Sequence, residues 1–190
     1  MRKDLGKLTG MFPSPVALVA TYDENKNVDV IVATWCGMCA DTRVVINVRE
    51  SSKTLQNIKY SKAFTLSIAN EKYLAQVDFL GMSSAKKMPD KFERTGLHAF
   101  ESDYVNAPII DELPLALECE FEELRDENGS KRIVGKIINI SVDENVLDDN
   151  GTVEPEKLCA VAFDPYGLNY YGIGEKVTDA FKIGTDILYN

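Results

Sequence analysis

Apolar residues in this chain gather in short runs rich in β-branched side chains, separated by polar clusters. That rhythm predicts strands in hairpins. Residues 15–22 (Pro-Val-Ala-Leu-Val-Ala-Thr-Tyr) form the first run and residues 28–35 the second. The cluster Asp23-Glu24-Asn25-Lys26-Asn27 between them predicts a turn. Residues 43–48 predict a third strand and 63–69 a fourth. Ser51 and Ser52 precede residues 53–58, whose spacing suits a short helix with a hydroxyl cap. Leu74, Val77 and Leu80 predict a helix over 71–80, with Gly81 as its stop. Residues 83–96 read as a loop and a short helix. Two late strands, 115–125 and 132–143, are joined by a turn at 126–130, and 148–151 is a further polar loop. The fold class expected is mainly β with short α insertions: an antiparallel sheet or barrel rather than a doubly wound parallel sheet. Without repeats or long linkers, residues 1–190 read as a single domain.

Composition narrows the function. The chain is 45% hydrophobic and 27% charged, ordinary for a domain with its own core. Its formal net charge of −9 disfavours nucleic acid as a partner. An anionic ligand must be held by a local group of donors working against that field. No apolar run reaches the roughly 18–20 residues of a membrane span, and residues 1–8 carry no signal-peptide stretch. A cytoplasmic location away from membranes is the default expectation. Cys36, Cys39, Cys119 and Cys159 are irregularly spaced, unlike a secreted disulfide framework.

Three segments carry candidate chemistry. In the first, Arg49, Ser51, Ser52, Lys53 and Thr54 stand where a strand ends and a helix begins. Unpaired amides, the positive end of the macrodipole, hydroxyls and two cations make a phosphate cradle. Taken alone, the segment fits an ordinary capped surface helix as well. In the second, Ser83 and Ser84 follow Gly81, and Lys91 brings a further cation; a solvated loop is the plain alternative. In the third, Ala33, Thr34, Trp35, Cys36 and Gly37 run from a strand into a turn whose small residues let backbone approach a flat ring. Trp35 either shields such a ring or belongs to a core or dimer interface.

Other readings are weaker. Cys36 and Cys39 match a C-x-x-C spacing, but a strand follows where thiol redox chemistry needs a helix. Gly172-Ile173-Gly174 has Val177 where a dinucleotide fingerprint needs its third glycine. A zinc site lacks paired ligands, and the sole histidine, His98, reads as structural or superficial. Residues 118–127, acidic and alternating, read as a strand with one solvated face.

The order of the segments resembles the flavin reductase-like, FMN-binding split-barrel family, and within it the flavoredoxin group. Phe12-Pro13-Ser14-Pro15-Val16, Ala33-Thr34-Trp35-Cys36-Gly37 and Ser52-Lys53-Thr54-Leu55-Gln56-Asn57-Ile58 carry the resemblance. It continues through Ala63-Phe64-Thr65-Leu66-Ser67-Ile68-Ala69, Asp78-Phe79-Leu80-Gly81-Met82-Ser83-Ser84, Asp90-Lys91-Phe92-Glu93 and Tyr170-Tyr171-Gly172. The resemblance implies a homodimer with FMN near the subunit interface and electrons drawn from NAD(P)H or a redox partner protein. It implies that Ala33 to Gly37 flank the ring and that Arg49, Ser51, Ser52, Lys53 and Thr54 hold the phosphate. Ser67, Ile68 and Ala69 would line the ribityl side, with Ser83, Ser84 and Lys91 approaching from the next loop. No side chain is expected to act as a catalytic acid or base. Many relatives carry a small residue or glycine where Cys36 stands, so the cysteine pair is no family hallmark.

Overall fold

The computed structural model describes residues 1–188. In chain order the strands of the first half are β1 (Ser14–Pro15), β2 (Ala17–Tyr22), β3 (Val28–Ala33), β4 (Cys36–Ala40) and β5 (Arg43–Arg49). Helix α1 (Lys53–Ser61), β6 (Ala63–Ile68) and helix α2 (Leu74–Met82) follow. Then come β7 (Ala99–Glu101), β8 (Pro108–Ile110), β9 (Leu115–Glu127), β10 (Ser130–Val142), β11 (Val161–Asp164) and β12 (Asn169–Gly172).

Seven strands form one antiparallel sheet in the order β3-β2-β6-β9-β10-β5-β4. Its two edge strands, β3 and β4, are consecutive in sequence, so the sheet curls until its ends are joined only by Thr34 and Trp35. The amide of Asn47 on β5 donates to the Trp35 carbonyl at 3.0 Å, pinning this corner. The barrel is closed on one side and left open along the seam between β3 and β5.

The unbroken apolar run of β2 has a physical reason. All six of its residues are buried, because both faces of the sheet are covered there. Ala17 and Val19 turn into the barrel, where Leu55 and Ile58 of α1 pack with Val44, Ile46, Phe64 and Ile133. Leu18 and Ala20 turn outward, beneath Val77 and Leu80 of α2 with Phe92, Ile110 and Val161. Two cores thus share β2 and β3 as a common wall.

The hairpin β2–β3, the late hairpin β9–β10 and the capped helix follow the sequence pattern closely. Asn128 and Gly129 at the late turn both have positive φ, the conformation that Asn-Gly supplies most readily. Helix α2 departs from expectation at its end. It passes through Gly81 to Met82 and stops at Ser83 in an extended conformation, so no left-handed glycine closes it. Glu118 departs as well. The strand keeps its solvated face at Glu120 and Glu122, but the Glu118 carboxylate is 1% exposed, accepting from Asn139 at 2.6 Å and from the Ser102 hydroxyl. The strand β4, the small sheet β1-β11-β12 and the pair β7-β8 were not expected from the pattern.

Helix α1 is fastened to the β2–β3 hairpin by three polar contacts. The Lys53 ammonium lies 2.9 Å from Asp23 in the hairpin turn. The Thr54 hydroxyl donates to Asp29 at 2.7 Å, and the Asn57 amide donates to Thr21 at 3.0 Å. Burial opposes ionisation of Asp23, but hydrogen bonds from Lys53, Asn27 and Asn25 outweigh it and hold the carboxyl down to about 2. A folded value below the unfolded one gives stability above the unfolded pKa that is lost as pH falls through the folded value. Asp23→Asn is therefore expected to cost on the order of 1–2 kcal/mol at pH 6. The gap should close between about pH 4 and pH 2. Urea unfolding of both proteins across that range checks it; a gap constant with pH contradicts the assignment.

Candidate functional site

The open seam of the barrel holds a cavity of about 720 Å³. β3 supplies Asp29, Ile31, Val32 and Ala33 as one wall, and β5 supplies Asn47, Val48 and Arg49 as the other. The first turn of α1 closes one end, and the end of α2 with the loop after it closes the back.

At the α1 end, Ser52 is the cap: its hydroxyl oxygen accepts from the Leu55 amide at 3.1 Å. The amides of Lys53 and Thr54 occupy the first two helical positions, where no intrahelical acceptor exists. The Ser52 hydroxyl proton and the whole Ser51 hydroxyl remain available as donors beside them. Arg49 stands exposed at the rim opposite Ser130, its partner across the β5–β10 ladder. Lys53, Arg49, Lys86 and Lys91 bring positive charge to the cavity, against one lining carboxylate, Asp29. On a chain of net charge −9 this is a local reversal of sign. Two of these donors carry prior commitments. Lys53 is paired with Asp23, and the Thr54 hydroxyl proton is given to Asp29. Arg49, Ser51, Ser52, the Lys53 ammonium's remaining protons and the two amides can still meet an anion, whereas Thr54 offers only its amide.

At the back, Lys91 is 1% exposed and reaches the carbonyls of Leu80 and Ser83 at 3.4 Å each. A cation at the C-terminal end of α2 complements the helix dipole. Burial pushes its pKa down, and nearby Asp29 partly restores it. Asp29 is 2% exposed; its Oδ2 is satisfied by Thr54, but its Oδ1 has no partner.

At the mouth, the Trp35 indole is 55% exposed and belongs to neither core. Ala33, Thr34 and Trp35 line the main cavity with Ser83 and Ser84. Cys36 and Gly37 lie beyond them in an adjoining cavity of about 410 Å³, which shares Thr34, Trp35 and Asn47 with the first. A side chain at Gly37 would meet nothing within 4 Å, so the backbone is open to approach there. Ser67, Ile68 and Ala69 are not brought to the cavity. They lie on and just after β6, which β2 separates from the seam; Ser67 and Ala69 are fully buried and Ile68 packs inside the barrel.

The other sequence signals fall elsewhere. Cys36 and Cys39 lie on strand β4, all four cysteines are free, and burial pushes the Cys36 thiol up to about 11. That environment disfavours the thiolate that exchange chemistry requires. His98 is exposed and paired with Glu112 at 2.7 Å. Gly172 ends β12, and the next helix, Thr185–Leu188, begins only after residues 173–184 and not at the glycines, as a dinucleotide fold would need. Among the described residues no cluster of metal-ligating side chains occurs, and no helix is long and apolar enough to cross a membrane.

Asp29 and Asn47 were missed as lining residues. Each is a single polar residue interrupting an apolar strand, Val28-Asp29-Val30-Ile31 and Val45-Ile46-Asn47-Val48. A polar side chain at such a position demands a partner, and that was the available signal.

Comparison with known proteins places this geometry. Residues 9–171 match the family model described as flavin reductase like domain. The flavoredoxin of Desulfovibrio vulgaris (Miyazaki F) is 32% identical, with a TM-score of 0.92 over 97% of this chain and 100% of that one. A flavoredoxin from Methanosarcina acetivorans shares the fold at 19% identity, with a TM-score of 0.89 over 98% and 99%. An FMN-binding protein from Thermus thermophilus, solved with bound 1-cyclohex-2-enone, shares it at 20% identity and a TM-score of 0.75 over 94% and 98%. With its antiparallel barrel split along the β3–β5 seam and a family match spanning most of its length, this chain belongs to the flavin reductase-like family.

Proposed function

We infer that this protein binds FMN without a covalent bond and passes electrons from NAD(P)H, or from a reduced partner protein, through it to an acceptor. The observation that carries this reading is the α1 end of the cavity: a capped helix N-terminus with two partnerless amides, two serine hydroxyls and the Arg49 and Lys53 cations. That donor set fits a phosphate monoester, which supplies three acceptor oxygens and nearly two negative charges. Further along, the Ala33–Thr34 backbone and the exposed Trp35 indole fit one side of a flat ring.

When bound, the flavin itself supplies hydride acceptance and electron release. The side chains hold and shield it. Ser51, Ser52, Arg49 and the α1 amides would fix the phosphate end, so the ring has a defined place at the mouth. Trp35 would exclude water from one side of it. Backbone amides along the β3–β4 corner would stabilise negative charge gathering at the reduced ring. No side-chain acid or base is required for hydride uptake.

A homodimer accords with the apolar groups left bare around the mouth. Met11, Trp35 and Met38 are all exposed, and the smaller cavity lies among them. A second subunit covering them would close the ring's outer side.

Two measurements test this reading. The double variant Lys53→Met with Asp23→Asn removes the cation without leaving its carboxylate bare. It is expected to weaken FMN binding about 10- to 100-fold, read by quenching of flavin fluorescence. Unchanged affinity rules out Lys53 as a phosphate contact. Anaerobic stopped-flow mixing of the FMN-loaded protein with NADH or NADPH is expected to bleach the flavin absorbance with at least one of them. Bleaching by neither leaves an electron carrier served by a partner protein.

A further inference from the structure

The smaller cavity at the mouth differs from the main one in charge. Arg49, Lys53, Lys86, Lys91 and Asp29 all line the main cavity. None of the twelve residues around the smaller cavity, of about 410 Å³, bears a charged side chain. Its one titratable group, the Cys36 thiol, is pushed up to about 11 by burial and is uncharged at neutral pH.

Part of the lining comes from the segment of residues 9–15, and the fold fixes that segment in place. Ser14 and Pro15 pair with Phe163 and Ala162 of β11. The Phe12 ring meets Tyr171 edge-on with centroids 5.5 Å apart, and the Tyr166 hydroxyl donates to the Gly10 carbonyl at 3.2 Å. Gly10 lies so close to Pro165 that a side chain there would collide with the proline ring. Thr34, Trp35 and Asn47 are shared with the main cavity, so whatever enters the smaller one lies beside the corner assigned to the flavin ring.

Met11, Trp35, Met38 and Val45 give the lining its apolar surface, an indole and two adaptable thioethers among them. Its polar side chains are the hydroxyls of Thr9, Ser14 and Thr34 and the Asn47 amide. Ser14 already donates to the Met11 carbonyl, and Asn47 to the Trp35 carbonyl. Such groups can hydrogen-bond a neutral ligand but cannot neutralise an ion. An ion taken from water without a counter-charge loses hydration that it does not recover. The net charge of −9 adds a field that opposes anions in particular.

We propose that the smaller cavity admits the molecule that exchanges electrons with the flavin, and that it selects an uncharged, flat molecule of one or two rings. The proposal rests on the flavin reading above, and names the substrate class of that site. The main cavity holds a dianion with cations and helix amides; the smaller one turns ions away for want of them. A larger donor with phosphates, such as NAD(P)H, would have to keep those groups outside the smaller cavity. The second subunit inferred above would roof it, and any cation that subunit brought would reverse the selectivity.

The test is equilibrium binding to the oxidised, FMN-loaded protein, read as a saturable change in the visible absorbance of the flavin. The probes are 4-nitrobenzamide and 4-nitrobenzoate, which share ring and shape and differ in charge. The amide is expected to bind at least about tenfold more tightly than the carboxylate. Met38→Lys places a cation on the wall, and the preference should then fall below about threefold. Met38→Gln, close to methionine in length and uncharged, should keep the native preference. Equal affinity of the native protein for the two probes overturns the proposal, as does a preference for the carboxylate. A preference undiminished by Met38→Lys, or lost equally in Met38→Gln, overturns it too. If neither probe perturbs the bound flavin, the cavity admits no ligand beside the ring, and the proposal falls while the flavin reading stands. A protein that takes up no FMN shows instead that the flavin reading is wrong, and this inference falls with it.

Discussion

The site depends on the way the first turn of α1 is held against the β2–β3 hairpin. A helix N-terminus attracts anions only if its free amides face a cavity and stay there. Here Lys53, Thr54 and Asn57 each reach a hairpin residue, Asp23, Asp29 and Thr21 in turn. Two of these ties involve carboxylates, so the same residue types that make the chain acidic hold the first turn of α1 in position. Leu55 and Ile58, on the inner face of the helix, add apolar anchorage inside the barrel. The helix therefore serves as a plug for the core on one face and, in the function proposed above, would serve as a ligand cradle at one end.

The opening of the barrel follows from the same arrangement. Strands β3 and β5 have no ladder between them, and α1 occupies the space where closure would occur. A fully closed barrel of this size would fill its interior with side chains. Leaving the seam unzipped gives a cavity whose walls are rigid strands, with backbone groups at the Thr34–Trp35 corner that pair only in part. Behind the β3 wall of that cavity, Asp29 Oδ1 is buried without a hydrogen-bond partner.

Much of this was legible in the chain. The Ser52 cap, the hairpin ending in Asp23 and Asn27, and the late hairpin turning at Asn128-Gly129 rest on local chemistry, and local chemistry is what a sequence displays. Arg49, Ser51, Ser52, Lys53 and Thr54 line one cavity for the same reason, being neighbours in sequence. What escaped depends on sheet order. Ser67, Ile68 and Ala69 sit beside β2 in space and so are cut off from the seam, a consequence of the order β3-β2-β6 that no periodicity reveals. Strand β4 carries exposed Met-Cys-Ala positions at a sheet edge and lacks alternation, and β11 is four residues long, between β12 and a distant β1. Glu118 looked like one more solvated acid in a charged strand; its burial depends on Ser102 and Asn139, brought from elsewhere in the chain.

The account stands on a doubly charged ester being the group that the α1 turn grips. The direct measurement is the affinity of the flavin-free protein for riboflavin against FMN, which differ only by that ester, titrated under identical salt. FMN is expected to bind about 100-fold more tightly, a difference of about 2.7 kcal/mol that shrinks as ionic strength rises. Equal affinities, or a preference indifferent to salt, would contradict the account, since the helix turn would then hold no anion.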